Sequence, residues 1–587
     1  MTKQPQITVL DAGGQYCHLI ARRVRELGVY AEVQPSEIAA EKLEDRRGII
    51  ISGGPASVYE SGSPQVDPEI FSLGIPVLGI CYGMQLMAHH LEGGAVIKGV
   101  RGEYGMAQLN VTQQDRLFEG FQSVSQVWMS HRDRVGQAPE DFEVTAATAT
   151  CPIAAIANDW RKLYGIQFHP EVVHTHGGKI ILGNFLFTIA GCAQDWSPTH
   201  QLEQLEDEIR STARGRNVFF FASGGVDSTV AFSLCLRALG KDRVHAAYVD
   251  TGLMREGETE FVREVFTKMA GDSFEVVDAK QEFLEKLTGL VEPEAKRKAI
   301  GEEFVAVQER VLETGPFLNG KWILGQGTIY PDTIESGGTA KAEVIKTHHN
   351  RVAGIQALID AGRLIEPLAQ FYKDEVRQVG AAIGVSDELL DRHPFPGPGL
   401  AIRCLCSAEV KAARQVDAGY ILPVLSVGVQ GDARTYRATL ALENYSEAAF
   451  HTATESINQL ADVNRVVALV QTAAPLASFT SQVAAIDATR LERLRRCDAI
   501  VRRLSVESGF EEKVWQFPVV LLPCGILGKP DSIVLRPIDS VDGMTAQAVP
   551  MPEALLKQMC EELMAVNGVC AVFYDLTNKP PATIEWE

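Results

Sequence analysis

Residues 76–90 read PVLGICYGMQLMAHH. A short run of wholly apolar residues passes through Gly79-Ile80-Cys81-Tyr82-Gly83 and goes directly into a helical pattern. A strand this short and apolar throughout suits a parallel sheet covered on both faces rather than a half-exposed antiparallel one. The neighbouring sequence repeats the theme. Gly48–Pro55 (GIIISGGP) is another buried strand entering a glycine turn. Ile7–Asp11 (ITVLD) is a third, ending in Asp-Ala-Gly-Gly, and Gln15–Leu27 follows with helical spacing of Leu19, Ile20, Val24 and Leu27. The first 197 residues therefore predict an α/β domain with a parallel sheet.

The pattern breaks at Trp196-Ser197-Pro198 and starts again at Asn217 with NVFFFASGGVDSTVAFSLCLRALG, a strand, glycine turn and helix. RVHAAYVDTGLM adds a second strand and turn. A second α/β domain over 198–395 is expected, closed by the turn-rich HPFPGPGLAIR. Residues 396–587 mix strand-like runs (ILPVLSVGV, RVVALVQ, FPVVLLP, SIVLRPI, VCAVFYDL) with helices, which predicts an α+β domain.

Composition narrows the function. The 587 residues carry 55 Lys and Arg against 75 Asp and Glu, a formal charge of −20. That argues against a nucleic-acid polymer as partner, because phosphate contacts need clustered basic residues. It leaves room for a small anion in one local basic pocket. No uncharged run is long enough to span a bilayer, so no membrane role is expected. No secretory signal opens the sequence, and eleven cysteines in this length do not make a disulfide scaffold. A reduced, cytoplasmic, multidomain protein is the expectation.

Three turns carry chemistry. In the first, Gly79-Ile80-Cys81-Tyr82-Gly83 has the pattern of a nucleophile elbow, with Cys in place of Ser. Side chains two positions either side of the nucleophile would collide with the neighbouring strand and helix, hence the glycines. The helix N-terminus supplies positive potential that suits an anionic nucleophile. In the second, Gly165-Ile166-Gln167-Phe168-His169-Pro170-Glu171 sets His169 and Glu171 two apart, pointing the same way in extended chain. His169 is then the general base and acid for Cys81, and Glu171 orients its imidazole. In the third, the Ser52-Gly53-Gly54-Pro55 turn leaves a backbone N–H at Gly54 that, with the N–H of Tyr82, suits an oxyanion. His89-His90 reads as packing or surface, and His174 and His176 as loop residues with no third metal ligand in view.

GGP, GICYGMQ and FHPE, in this order, resemble the class I glutamine amidotransferases. The resemblance implies hydrolysis of glutamine to glutamate and ammonia through a Cys81 thioester, with Gln85 at the family's glutamine-contacting position. His131, in Trp-Met-Ser-His-Arg-Asp, resembles a segment near that site.

A separate constellation, Ser223-Gly224-Gly225-Val226-Asp227-Ser228-Thr229, follows the strand VFFFA and opens a helix. Glycines let backbone wrap a phosphate at a helix N-terminus. No Lys follows, so this is not the Walker A loop. A carboxylate among phosphate-binding N–H groups is costly unless a cation or the loop backbone compensates it, and Mg²⁺ held by pyrophosphate oxygens is the natural candidate at Asp227. The loop resembles that of the N-type ATP pyrophosphatases, which adenylate an oxygen and release pyrophosphate. Asp250, Gly252 and Leu253 look like that family's adenosine-contacting turn, and Gly325–Asp332 like the next strand end.

Ammonia release joined to adenylation implies amination of an activated carbonyl. With Lys346–Asn350, Arg392–Gly399 and Lys579–Glu587 added, the chain resembles the glutamine-hydrolysing GMP synthetase family over nearly its whole length. The resemblance implies XMP, ATP and glutamine as substrates. Lys579, Thr583, Ile584 and Glu585, with Arg297, Arg434 and Gln516, would hold XMP. By charge alone, Lys296-Arg297-Lys298 reads instead as a solvated helix face. The C-terminal region resembles the extended form seen in some members, with the surplus between residues 437 and 530; a homodimer through it is one expectation and a monomer the other. The segment after Asn350 departs from the family pattern. Two other readings compete: a different glutamine-dependent adenylating amidase, against which the Cys81 elbow and KPPATIEWE argue, and a catalytically dead nucleotide or glutamine sensor, against which the intact Cys81, His169, Glu171 and Asp227 argue.

Overall fold

The computed structural model describes residues 4–587 apart from 15, 100–102, 173, 331, 333–357, 360, 391, 394, 431–432, 447, 454–459, 461, 541–545 and 580, and apart from the side chains of Tyr104, Val429, Gln430, Ala433 and Arg434. By contacts the chain forms two compact units, one of Met1–Leu205, Ile329–Ile345 and Ala369–Val379, the other of Glu206–Thr328, Lys346–Leu368 and Gly380–Glu587.

The first unit is built on a nine-stranded sheet. Its parallel part runs, in spatial order, Ala31–Pro35, Ile7–Asp11, Gly48–Ile51, Val77–Ile80 and Leu163–Ile166. The three central apolar runs are buried along their whole length, as strands covered on both faces must be. Beyond Leu163–Ile166 the sheet turns antiparallel through Ala155–Asn158, Glu143–Ala147, Glu103–Val111 and Val124–His131. The parallel sheet expected from sequence is thus only half of it. Val124–His131 alternates buried and partly exposed residues, because one face of this extension meets solvent. Helix Cys17–Glu26 packs Ile20, Ala21 and Val24 into one core, and helix Tyr82–His90 packs Met84, Leu86 and Met87 into the core on the other side.

The second unit holds two large sheets. A five-stranded parallel sheet runs Phe274–Asp278, Val244–Asp250, Asn217–Ala222, Trp322–Gly325, Leu364–Ile365. Its strand order reverses direction at Asn217–Ala222, which is where open α/β sheets place ligands. The seven-stranded sheet is mixed, in the order Arg414–Val416, Gly419–Gln430, Ala433–Leu442, Val463–Thr472, Val569–Asp575, Asp531–Leu535, Val519–Leu522. Helices Ala488–Glu507 and Glu553–Met564 cover it with Leu491, Leu494, Leu504, Leu556 and Met559. Among the described residues no helix is long and apolar enough to cross a membrane.

Candidate active site

Cys81 caps the helix Tyr82–His90 at φ 54°, ψ −104°. Few non-glycine residues adopt a positive φ, and those that do cluster at functional sites. The glycines of the elbow are needed for contact. A Cβ on Gly79 would lie 2.6 Å from the backbone of Gly83, and one on Gly83 would lie 2.3 Å from the carbonyl of Ile51. The Cys81 N–H donates to the carbonyl of Ile166 at 2.7 Å, so the Cys81 backbone is anchored to the strand that leads to His169.

His169 Nδ1 lies 2.7 Å from Glu171 Oε1, and both side chains are buried. The Gly53 turn sits against both partners. A Cβ there would meet His169 Cε1 at 2.9 Å and Cys81 Cβ at 3.5 Å. Burial by itself would depress the imidazole's pKa, but the Glu171 carboxylate and the hydrogen bond with Cys81 outweigh it and hold His169 up, at about 10. Cys81 Sγ also takes a 3.6 Å contact from the Gln167 amide and faces the Ser130 carbonyl at 3.6 Å. The structure brings together all three residues read as a triad.

A charged imidazolium beside Glu171 has a consequence for stability. With a folded pKa above the ~6.5 of a free histidine, the pair's contribution is complete below about pH 6 and is lost as pH rises through about 10. Glu171→Gln should lower the melting temperature of this unit most at pH 6, by about 3 °C or more, and the gap should narrow toward pH 10. A gap that widens with pH would contradict the charged pair.

The residues expected on the glutamine side share one hydrogen-bond partner. Gln85 is buried and its amide donates to the Asp133 carbonyl at 2.7 Å. The same carbonyl meets His131 Nδ1 at 3.1 Å, while His131 Nε2 lies 3.3 Å from Glu103 Oε2. Burial pushes His131's pKa down and Glu103 opposes it. Glu103 and His131 face each other in register across the antiparallel extension, which sequence reading did not find. Gly54 packs against Tyr82 and the Ala12 carbonyl; a Cβ there would lie 2.3 Å from that oxygen. Gly54→Ala should therefore cut glutaminase kcat by at least about tenfold through displaced oxyanion donors, measured as glutamate release. Wild-type kcat would remove Gly54 from the site.

The phosphate-type loop lies at the reversal point of the parallel sheet. Gly224 has φ 73°, and a Cβ there would meet Val262 at 2.6 Å. Gly225 caps the helix Val226–Leu239. Thr229 Oγ1 and Ser228 Oγ donate to the Gly225 carbonyl at 2.8 and 3.1 Å, and the Ser223 and Ser228 hydroxyls are 3.0 Å apart. Gly327 brings a second strand-end turn against the helix N-terminus, with space for no Cβ beside Ser228 N at 2.7 Å. Arg392 braces the loop, donating to the Gly224 carbonyl at 3.4 Å and Glu258 at 2.5 Å while lying over the Phe261 ring. At the next strand end, Asp250 Oδ1 accepts from the Gly252 N–H at 3.0 Å, and Lys280 pairs with Asp250 at 3.1 Å. The Leu253 side chain is core.

Of the residues expected to hold XMP, all but Arg297, on helix Pro293–Thr314, fall in the last part of the second unit. Gln516 bridges Ile538, which pairs with Ala548, and Lys579 bridges Ala546. Thr583 donates to the Val427 carbonyl at 3.1 Å. Glu585 forms a two-pronged pair with Arg403 at 2.7 and 3.0 Å. Arg536 donates to the carbonyls of Ile584 and Thr583, each at 2.9 Å, and Arg465 donates to that of Thr583 at 3.0 Å. Arg465 and Arg536 share Asp575, and they hold its carboxyl below its ordinary range against the opposing effect of burial. Arg434 stands opposite Val429 on the strand pair beside this tail, and its side chain is outside the described set. Arg297 bonds the carbonyl of Glu587. The solvated reading of Lys296-Arg297-Lys298 fails at Lys296. That residue has no exposure and pairs with Glu587, because it lies on the helix face of Ile300, Glu303 and Val307. Lys346–Asn350 lies outside the described residues.

A parallel sheet with Cys, His and Glu at its strand ends is the arrangement of a glutamine amidotransferase, and residues 8–189 match the family Glutamine amidotransferase class-I. Residues 504–586 match the GMP synthase C terminal domain. A probable GMP synthase [glutamine-hydrolyzing] of Leptospira interrogans is 42% identical over 608 residues, covering 100% of each chain. The GMP synthases [glutamine-hydrolyzing] of Halothermothrix orenii and Aquifex aeolicus are 40% and 39% identical, each over 100% of both chains. The chain belongs to the glutamine-hydrolysing GMP synthase family.

Proposed function

We propose that this chain converts XMP, ATP, glutamine and water to GMP, AMP, pyrophosphate and glutamate, with residues 1–197 as glutaminase, 198–395 as adenylating domain and 396–587 as the nucleotide-binding domain. The observation that carries the reading is the buried, hydrogen-bonded His169–Glu171 pair beside Cys81 in a chain that also keeps the whole Ser223–Thr229 loop.

Cys81 Sγ attacks the carboxamide carbon of glutamine with its proton already on His169, and that imidazolium passes the proton to the departing ammonia. The backbone N–H groups of Gly54 and Tyr82 donate to the negatively charged carbonyl oxygen in both tetrahedral stages. Water, deprotonated by the same imidazole, then releases glutamate. At the second site the C2 oxygen of XMP attacks the α-phosphorus of ATP, and ammonia displaces AMP from C2. The loop N–H groups hold the departing pyrophosphate, while the Ser228 and Thr229 hydroxyls hold the loop's own Gly225 carbonyl.

The donor set also fits Mg²⁺. It offers a single carboxylate, Asp227, beside hydroxyl and backbone donors, and no group of three metal-ligating side chains exists among the described residues. A hard cation held mainly by phosphate oxygens needs no more. Bound there, it would neutralise phosphate charge. Free cysteines throughout agree with a reducing, cytoplasmic setting.

The test is to supply XMP, ATP, Mg²⁺ and glutamine and to assay for GMP and AMP together. No GMP, with the protein folded, overturns the proposal.

A further inference from the structure

The turn after strand Val244–Asp250 is held from outside by a helix far away in sequence. Its own side chains take the N–H groups of Gly252 and Leu253, through Asp250 Oδ1 at 3.0 Å and Thr251 Oγ1 at 3.2 Å. The three following carbonyls are all claimed by residues beyond position 395. Arg495 Nη2 donates to the Gly252 carbonyl at 2.8 Å and Arg495 Nε to that of Met254 at 3.1 Å. The carbonyl of Leu253 accepts from the Leu400 N–H at 2.7 Å. The grip is returned one residue on. Arg255, lying over the Phe395 ring at 4.4 Å, sets its Nε 3.4 Å from Asp498 Oδ2. Arg495 and Asp498 are three apart on helix Ala488–Glu507 and so share one face. Asp498 is buried, and its carboxylate has no hydrogen-bond partner besides this ion pair. A buried carboxylate set against Arg255, with Arg403 also in its field, argues for placement of the Arg255 turn rather than for net stability.

We infer that Arg495 and Asp498 are positioning residues for ATP: they fix the backbone of residues 250–255, so the helix Ala488–Glu507 of the C-terminal region sets the shape of the adenylating site. The inference rests on the proposed function and on the likeness of Asp250, Gly252 and Leu253 to the adenosine-contacting turn of the N-type ATP pyrophosphatases. It is a role for the helix surface that neither the loop Ser223–Thr229 nor the glutaminase uses. Arg495 keeps about a fifth of its side chain exposed (21%), so its replacement spares the core.

The experiment measures KM for ATP and for XMP, and kcat, in the full chain with saturating ammonium. Arg495→Ala is expected to raise the KM for ATP about tenfold, as loss of two charged hydrogen bonds partly replaced by water would do. KM for XMP should stay within about twofold. Arg495→Lys, which can refill one of the two bonds, should recover part of the loss, and Asp498→Asn should shift KM for ATP in the same direction as Arg495→Ala. An unchanged KM for ATP in Arg495→Ala with a lowered melting temperature makes the residue purely structural and overturns the inference. Equal rises in both KM values overturn it as well. If the wild-type chain itself makes no GMP, the functional reading falls and takes the inference with it. Wild-type turnover with unaltered variant KM values defeats the inference alone.

Discussion

Cys81→Ala will abolish glutamine-dependent GMP formation, by roughly 10⁴-fold or more as for loss of other catalytic nucleophiles, and will leave formation from ammonium close to wild type. The geometry makes this a clean experiment. Residue 81 sits at φ 54° whichever side chain it carries, so alanine meets the same backbone cost as cysteine and the elbow keeps its shape. The glycines at 79 and 83 keep their close contacts, and the N–H bond to Ile166 is unaffected. His169 and Glu171 stay paired. Loss of ammonium-dependent activity in a folded Cys81→Ala chain would refute the division of labour between the two sites.

Asp227→Ala will reduce pyrophosphate release by at least about a hundredfold, and by the same factor with glutamine or ammonium as nitrogen source. Asp227 stands in the first turn of helix Val226–Leu239, where a carboxylate favours the helix by only about 0.3–1 kcal/mol. The fold therefore has little reason to fail when it is removed. Glutamate release from glutamine is the control, since Cys81, His169 and Glu171 belong to the other compact unit. Pyrophosphate release near the wild-type rate would mean that the loop cradles something other than the phosphates of ATP.

Much of this was legible before any coordinates. The elbow, the His-x-Glu pair and the SGGVDST loop are local patterns whose residue types answer to one physical demand each, and the structure sets the first two side by side. The antiparallel extension was harder. Strands such as Val124–His131 are half exposed and alternate weakly, so they give no continuous apolar run to read. Yet this extension pairs Glu103 with His131, whose ring shares the Asp133 carbonyl with Gln85. Lys296 was misread because a run of three basic residues looks solvated, whereas only its spacing to Ile300 and Val307 discloses a buried face. Arg403, Arg465 and Arg536 were missed altogether. The available signal was a lone cation inside an otherwise apolar run, as in GLAIR, RVVALVQ and SIVLRPI, which a core accepts only with a partner. Those partners, Glu585 and Asp575, are distant in sequence and could not be assigned from it.

The bond from Cys81 N–H to the Ile166 carbonyl also bears on how the chain is made. The strand that pins the nucleophile is completed more than eighty residues after the nucleophile itself, and His169 follows it directly. Contacts of such sequence separation form late, because the intervening loop must be closed first. During synthesis, which proceeds from the N-terminus, a nascent chain that ends short of residue 163 has a cysteine, a turn and no enzyme. Ammonia release thus begins only when the centre of the sheet has closed, and recovery of glutaminase activity after dilution from denaturant will time that closure rather than the earlier folding of the elbow helix.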